Sequence, residues 1–164
     1  MGLAWDESYL GQLRAKAGDD QILVAVGTRC VVRDDDGQVL LVKREDNGLW
    51  GFPAGTMELN ETVRECAIRV LSEETGLIAH GVTPFGLYSR LSEWGPNVYG
   101  HLYHHVTLAC RIDLYEGELV RETAETTDAA FHRPDALPDE LMPSVVRTLR
   151  DLEAFDAGGP FILE

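Results

Sequence analysis

Glu73 and Glu74 stand side by side near the end of the stretch RVLSEETG, residues 69–76, one helical turn after Val70. With 3.6 residues per turn, positions 70, 73 and 74 share one helix face, which therefore presents two carboxylates and one valine. Acids in the last turn of a helix meet the negative end of its dipole, at a cost of about 0.3–1 kcal/mol each when exposed, and neighbouring acids repel. A pair held against both costs suggests a bound cation, while a solvated helix end accounts for the same two residues with no ligand. Two further features bear on the choice. Arg69 precedes Glu73 by one turn and follows Glu61 by two, so on a helix it can bridge both acids. Gly51, Pro53 and Gly55 make a tight loop just upstream, able to aim backbone carbonyls or amides at a ligand. Oxygen donors of this kind select hard divalent cations such as magnesium.

The elements that must hold these residues follow from periodicity. Val63, Cys66, Ala67, Val70 and Leu71 recur at helical spacing through ETVRECAIRVLSEETG, residues 61–76. DESYLGQLRAKAG, residues 6–18, predicts an N-terminal helix with Asp6 as N-cap, Tyr9, Leu10 and Leu13 as its apolar stripe and Gly18 as its stop. QILVAVGTRCVVRD (21–34) and QVLLVKRE (38–45) read as the two strands of a hairpin turned by DDDG. LWGFP follows as a short apolar piece, with Trp50 expected to pack beneath the glycine loop. LIAHGVTPFGLYSRL, YGHLYHHVTLACRIDLY and TTDAAFHRP predict further strands, separated by the turn-rich SEWGPN and the acidic EGELVRETAE. LPDELMPSVVRTLRDLEAF predicts a closing helix that opens at Pro138 or Pro143, and the tail GGPFILE is apolar enough to dock. This order implies an α+β fold, a mixed sheet with helices packed on it. It divides the chain into a helical appendage at 1–20, a domain at 21–157 and a tail at 158–164.

Composition narrows the function. A chain of 164 residues with 45% apolar content can build a core. The net charge of −14 argues against a nucleic-acid partner, but an acidic protein can bind an anionic substrate through divalent cations. No apolar run is long enough to span a bilayer, and the first ten residues, with Trp5, Asp6 and Glu7, do not form a signal peptide. Asp6 also stands where an N-myristoylation motif at Gly2 requires Ser or Thr. Cys30, Cys66 and Cys110 are scattered without zinc or redox spacing, which suits reduced core residues and a cytoplasmic location.

Residues 55–77, GTMELNETVRECAIRVLSEETGL, resemble the Nudix box, G-x5-E-x7-R-E-U-x-E-E-x-G-U with U aliphatic. Gly55, Glu61, Arg69, Leu71, Glu73, Glu74, Gly76 and Leu77 match in place, and Val70 departs from the pattern where it has Glu. The flanks GQVLLVKR, LWGFPAG and FHRPDALP resemble the surroundings of that box, so the likeness covers about 22–155. The resemblance implies an α/β/α sandwich around a mixed sheet, with an extra N-terminal helix. It implies hydrolysis of a phosphoanhydride bond in a nucleoside diphosphate linked to another moiety, with Mg2+ or Mn2+, by a homodimer with no nucleic-acid or membrane partner. Carried over, Glu74 is the principal metal ligand with Glu73 beside it and the Ala54 carbonyl as a further ligand, while Glu61 and Arg69 orient loop and helix. A late-loop carboxylate completes such sites, with Glu125 the first choice and Glu122 the second. An acidic surface loop explains both equally well.

Val70 has no group to bind metal or take a proton. Loss of a general base costs about 10²–10⁴ in rate. Either another carboxylate compensates, or the chain is a non-catalytic nucleotide- or metal-binding module on the same fold, or the sequence has been altered. Glu65, about 140° around the helix from Val70, is poorly placed to substitute. Arg44 and Arg90 are the candidates for phosphate contact, and Trp94, Tyr99 and Tyr103 for stacking on a base. Each has a plain alternative in surface solvation or packing. His101 and His105 share a strand face with Tyr103 while His104 takes the other, too dispersed for a transition-metal site.

Overall fold

The structure is a computed structural model that describes residues 4–91, 96, 97 and 99–164. Trp94 lies outside the described residues. The chain order is α1 (Tyr9–Ala17), β1 (Leu23–Val32), β2 (Val39–Arg44), β3 (Trp50–Gly51), β4 (Ala54–Thr56), α2 (Val63–Thr75), β5 (Ile78–Leu91), β6 (Tyr103–Glu116), β7 (Thr126–His132), α3 (Ser144–Asp156) and β8 (Ile162–Leu163). The expected α+β architecture holds, with three helices among the described residues and a mixed sheet in the order β4-β1-β6-β5-β8, beside a smaller sheet β3-β2-β7. No described helix is long and apolar enough to cross a membrane.

The hairpin expected of β1 and β2 does not form. The two strands share an isolated bridge, Arg33 to Val39, and then enter different sheets. β1 instead runs parallel to β6 from Leu23 to Val32 and antiparallel to β4. The physical reason is burial on both faces. Cys30 and Val32 pack toward Ala67, Leu71 and Ile112 beneath α2, while Val31 packs toward Phe85, Val145 and Leu149 beneath α3. A two-stranded hairpin cannot cover both faces of an apolar strand, whereas a central sheet position can.

Local chemistry sets the helix ends. Ser8, not Asp6, caps α1, its Oγ accepting from the Gly11 N–H at 3.1 Å. Thr62 and Glu65 form a reciprocal capping box at the start of α2, and Gly76 closes it in the left-handed conformation at φ 74°. Glu65 is thus occupied with the helix start and exposed. Pro143 precedes α3, so the second of the two candidate prolines opens that helix.

The loop before α2 is stitched to β1. The Cys30 N–H donates to the Pro53 carbonyl and the Met57 N–H to the Val26 carbonyl, both at 2.8 Å. Between these bonds Gly27 pairs with Thr56, and a Cβ on Gly27 would stand 2.3 Å from the Gly55 carbonyl oxygen. The backbone on both sides is fixed, so Gly27→Ala is expected to cost about 1–3 kcal/mol. A lowered urea midpoint with an unchanged slope will show it, and an unshifted midpoint will show that the loop yields freely.

Candidate active site

Strand register builds the floor of a cavity of about 570 Å3. Ala25, His105 and Arg90 lie in one row across β1, β6 and β5, with Gly27, Thr107 and Tyr88 in the next and Arg29, Ala109 and Gly86 in the third. Side chains in register point to one face. The small residues leave the space, and the arginines, Tyr88 and His105 ring it. Glu73, Glu74, Val70 and Gly55 line the same cavity at the β4 edge, and Glu125 reaches it from the loop before β7.

Arg69 is the fixed point among the acids. Its Nε and Nη2 donate to the two oxygens of Glu61 at 2.7 and 2.9 Å, its Nη1 to Glu73 at 2.9 Å, and its Nη2 also to the Thr56 carbonyl at 2.9 Å. The guanidinium fork therefore ties β4 and the loop before α2 to one face of the helix and sets where Glu73 points. Against burial, which raises it, the Arg69 guanidinium and the Glu58 N–H hold the Glu61 carboxyl below its ordinary range, with Cys66 adding a little.

Glu74 is 5% exposed, and its Oε2 accepts from the Ala54 N–H at 3.3 Å. The structure thus brings the backbone of Ala54, the residue expected to offer its carbonyl, against Glu74. Burial pushes the Glu74 carboxyl up to about 8; Arg44 and the Ala54 amide oppose this, and Glu125 and Glu73 add to it. A buried, strongly shifted acid on a cavity wall is a candidate for a functional position. Val70 is 2% exposed, and a Cβ on Gly55 would stand 2.6 Å from its Cγ2. The valine thus packs closely on the glycine that opens the box.

The remaining expected residues divide. Arg44 and Glu125 act electrostatically on Glu74, and Arg44 is held in a bidentate pair with Asp46 at 2.8 Å. Glu122 lies apart, on a small hollow with Thr123 and Thr127. Arg90, Tyr99 and Tyr103 line the cavity, the Tyr103 ring lying under Arg14 of α1 at 4.9 Å. His101 and His105 line it too, while His104 faces the other way and bonds Ser89 at 3.0 Å. Trp50 packs edge-on against His132 at 4.9 Å. Sequence reasoning missed Arg29, Tyr88 and Arg147 as cavity residues. Alternation along β1 puts Arg29 on the face of Ala25 and Gly27, which was the available signal; nothing local marks Tyr88 or Arg147.

Among the described residues no three Asp, Glu, His or Cys side chains converge as a ready metal cage. Magnesium does not require one. It retains several waters and is commonly held by one or two carboxylates together with substrate phosphates. A buried, desolvated Glu74 beside Glu73 on an open cavity fits that donor set.

Residues 24–152 match the NUDIX domain family, and the chain belongs to it as a Nudix-type hydrolase. A MutT-like protein of Streptomyces ambofaciens is 29% identical over 140 residues, covering 85% of this chain and 82% of the relative. An ADP-ribose pyrophosphatase of Methanocaldococcus jannaschii is 32% identical over 108 residues, covering 64% and 60% of the two. The crystal structure of a MutT NUDIX hydrolase from Burkholderia pseudomallei superposes with a TM-score of 0.68 at 24% identity, covering 80% of this chain and 99% of that one, a likeness of fold.

Proposed function

We propose that this chain hydrolyses a phosphoanhydride bond in a nucleoside diphosphate linked to another moiety, with Glu73 and Glu74 holding a divalent cation, Mg2+ or Mn2+. The observation that carries this reading is the buried Glu74 on the cavity wall, beside a Glu73 whose direction Arg69 fixes. The relative from Methanocaldococcus jannaschii, named for ADP-ribose, supports the substrate class. A bound divalent cation offsets charge on the phosphoryl oxygens and acidifies water.

The residues divide the remaining work. Arg69 keeps Glu73 and the loop in place and touches no reacting atom. Arg44, released from Asp46 or shared with it, meets phosphoryl oxygens as a planar fork. Glu125, next to Glu74 and exposed on the cavity, takes the proton of the attacking water. The water oxygen bonds to phosphorus, the bond from phosphorus to the bridging oxygen breaks, and the departing phosphate carries the electron pair. Glu125 thus replaces the acid that Val70 removed from α2.

A second reading, a binding module without turnover, is favoured by one observation: Val70 is well packed against Gly55, so the helix has settled around the loss. Phosphate release from a panel of nucleoside triphosphates, ADP-ribose and dinucleoside polyphosphates, in magnesium and then manganese, separates the two. Turnover with either metal is the expected result. Binding of these compounds without turnover selects the module.

A further inference from the structure

We infer that Arg90 and Arg147 form a second anion subsite, remote from the acids of α2, which takes a phosphomonoester on the far half of the substrate. This rests on reading the cavity as the diphosphate site. Five of the fourteen Lys and Arg residues, namely Arg29, Arg44, Arg69, Arg90 and Arg147, line one cavity of a chain with net charge −14. Six acids line it as well, Glu45, Asp46, Glu58, Glu73, Glu74 and Glu125, and the arginines divide by their partners: Arg44 pairs with Asp46 and Arg69 with Glu61 and Glu73, whereas Arg90 and Arg147 share Glu164 of the tail.

Strand order measures the separation. Ala54, which touches Glu74, is on β4, while Arg90 is on β5, three strands away in the order β4-β1-β6-β5. At about 4.8 Å per strand this is about 14 Å along the sheet. Two phosphorus atoms joined by one oxygen are far closer than these two backbone positions. Arg90, on the far strand, is placed to serve a different part of the ligand, and Arg147 joins it through their shared partner Glu164.

The subsite has built walls. The guanidiniums of Arg29 and Arg147 lie over the Tyr88 ring at 5.7 and 5.5 Å. Arg29 donates to the Thr148 hydroxyl at 2.8 Å, and the Tyr88 hydroxyl donates to the buried Asp151 at 3.0 Å. These contacts hold the ring as a platform. The chain also supplies an anion of its own: Oε2 of Glu164 lies 3.3 Å from Arg90 and 3.7 Å from Arg147. Glu164 is placed there by the backbone of the tail, its N–H donating to the Leu87 carbonyl at 3.0 Å and its carbonyl accepting from the Ser89 N–H at 2.6 Å. A carboxylate seated between two guanidinium groups shows what the pair accepts. A phosphomonoester dianion offers more oxygens and more charge to the same forks. Glu164 is therefore a resident competitor, displaced when the phosphorylated ligand enters.

The test uses two matched pairs of diphosphates that differ by one phosphomonoester: NADPH against NADH, and coenzyme A against its 3′-dephospho form. Competition binding to the full chain in magnesium is expected to favour the phosphorylated member of at least one pair by about tenfold or more. Arg90→Gln, at a half-exposed position, should erase that preference while leaving the affinity of the unphosphorylated member in place. Glu164→Gln, which keeps the backbone pairing, should widen it by roughly threefold to tenfold. Equal affinity within both pairs, no binding by any of the four, or a preference that survives Arg90→Gln overturns the subsite. Binding is read apart from turnover. A preference without hydrolysis leaves the subsite standing and removes the hydrolase reading, and hydrolysis without preference does the reverse.

Discussion

Glu74→Gln is expected to lower turnover by about 10²–10⁴ while making the metal-free protein more stable above neutral pH. Both effects come from one carboxylate. Its ordinary value is 4.5, and burial, opposed by Arg44 and reinforced by Glu125, raises it to about 8 in the fold. A raised acid binds its proton more tightly folded than unfolded. The penalty is therefore absent below the unfolded value, grows as pH rises through the interval and is complete above about 8. With each unit worth about 1.36 kcal/mol, the full penalty is on the order of a few kcal/mol. Glutamine does not titrate and escapes it. Urea unfolding in a chelator at acid and at alkaline pH should show the parent losing stability between the two and the variant losing much less. Adding magnesium should stabilise the parent alone, because the cation binds the ionised acid. Full turnover by Glu74→Gln, or parallel pH profiles of stability, would remove Glu74 from the site.

Glu125→Gln should cost this chain about 10²–10⁴ in kcat with little change in KM, yet cost far less once Val70 is replaced by Glu. The reasoning lies in the cavity. Val70 occupies the helix position one turn before Glu73 and Glu74, and it supplies only methyl groups packed on Gly55. Glu125 approaches Glu74 from the loop before β7, which is anchored by the Glu45 N–H donating to the Glu125 carbonyl at 3.0 Å. If Glu125 does the proton transfer, restoring an acid at position 70 makes it redundant, and the two substitutions will be strongly non-additive. Val70→Glu itself should lower stability by about 3–5 kcal/mol in metal-free protein, since an unpaired carboxylate enters a buried position one turn from Glu73 and Glu74. The measurement is a double-substitution cycle in kcat at saturating magnesium. Additive losses would assign Glu125 to the surface and return the search for a proton acceptor to the other cavity acids, Glu45, Asp46 and Glu58.

How much of this was legible in the chain differs from element to element. Helix α2 and its bridging Arg69 could be read from spacing, because a helix relates residues three and four apart by a fixed rotation, while the departure at Val70 came from the resemblance to the Nudix box. The α+β class followed from the order of helices and strands along the chain. The strands themselves were also legible, yet the partner of β1 was not. Alternation tells which side chains share a face but not which strand lies alongside, and the turn DDDG pointed to β2, whereas burial on both faces placed β1 between β4 and β6. The capping of α1 by Ser8 rather than Asp6 depended on which side chain meets a free N–H, a matter of local geometry. The cavity residues were decided by tertiary structure alone. Arg29, Tyr88 and Arg147 come from a strand near the start, a strand in the middle and the last helix, and they meet because β1 and β5 both flank β6 while α3 packs across them. The sequence by itself determined the acid-bearing helix, whose parts are neighbours in the chain. The rest of the pocket is made of residues far apart in the chain, and only the long-range packing of the sheet under α3 brings them to one place.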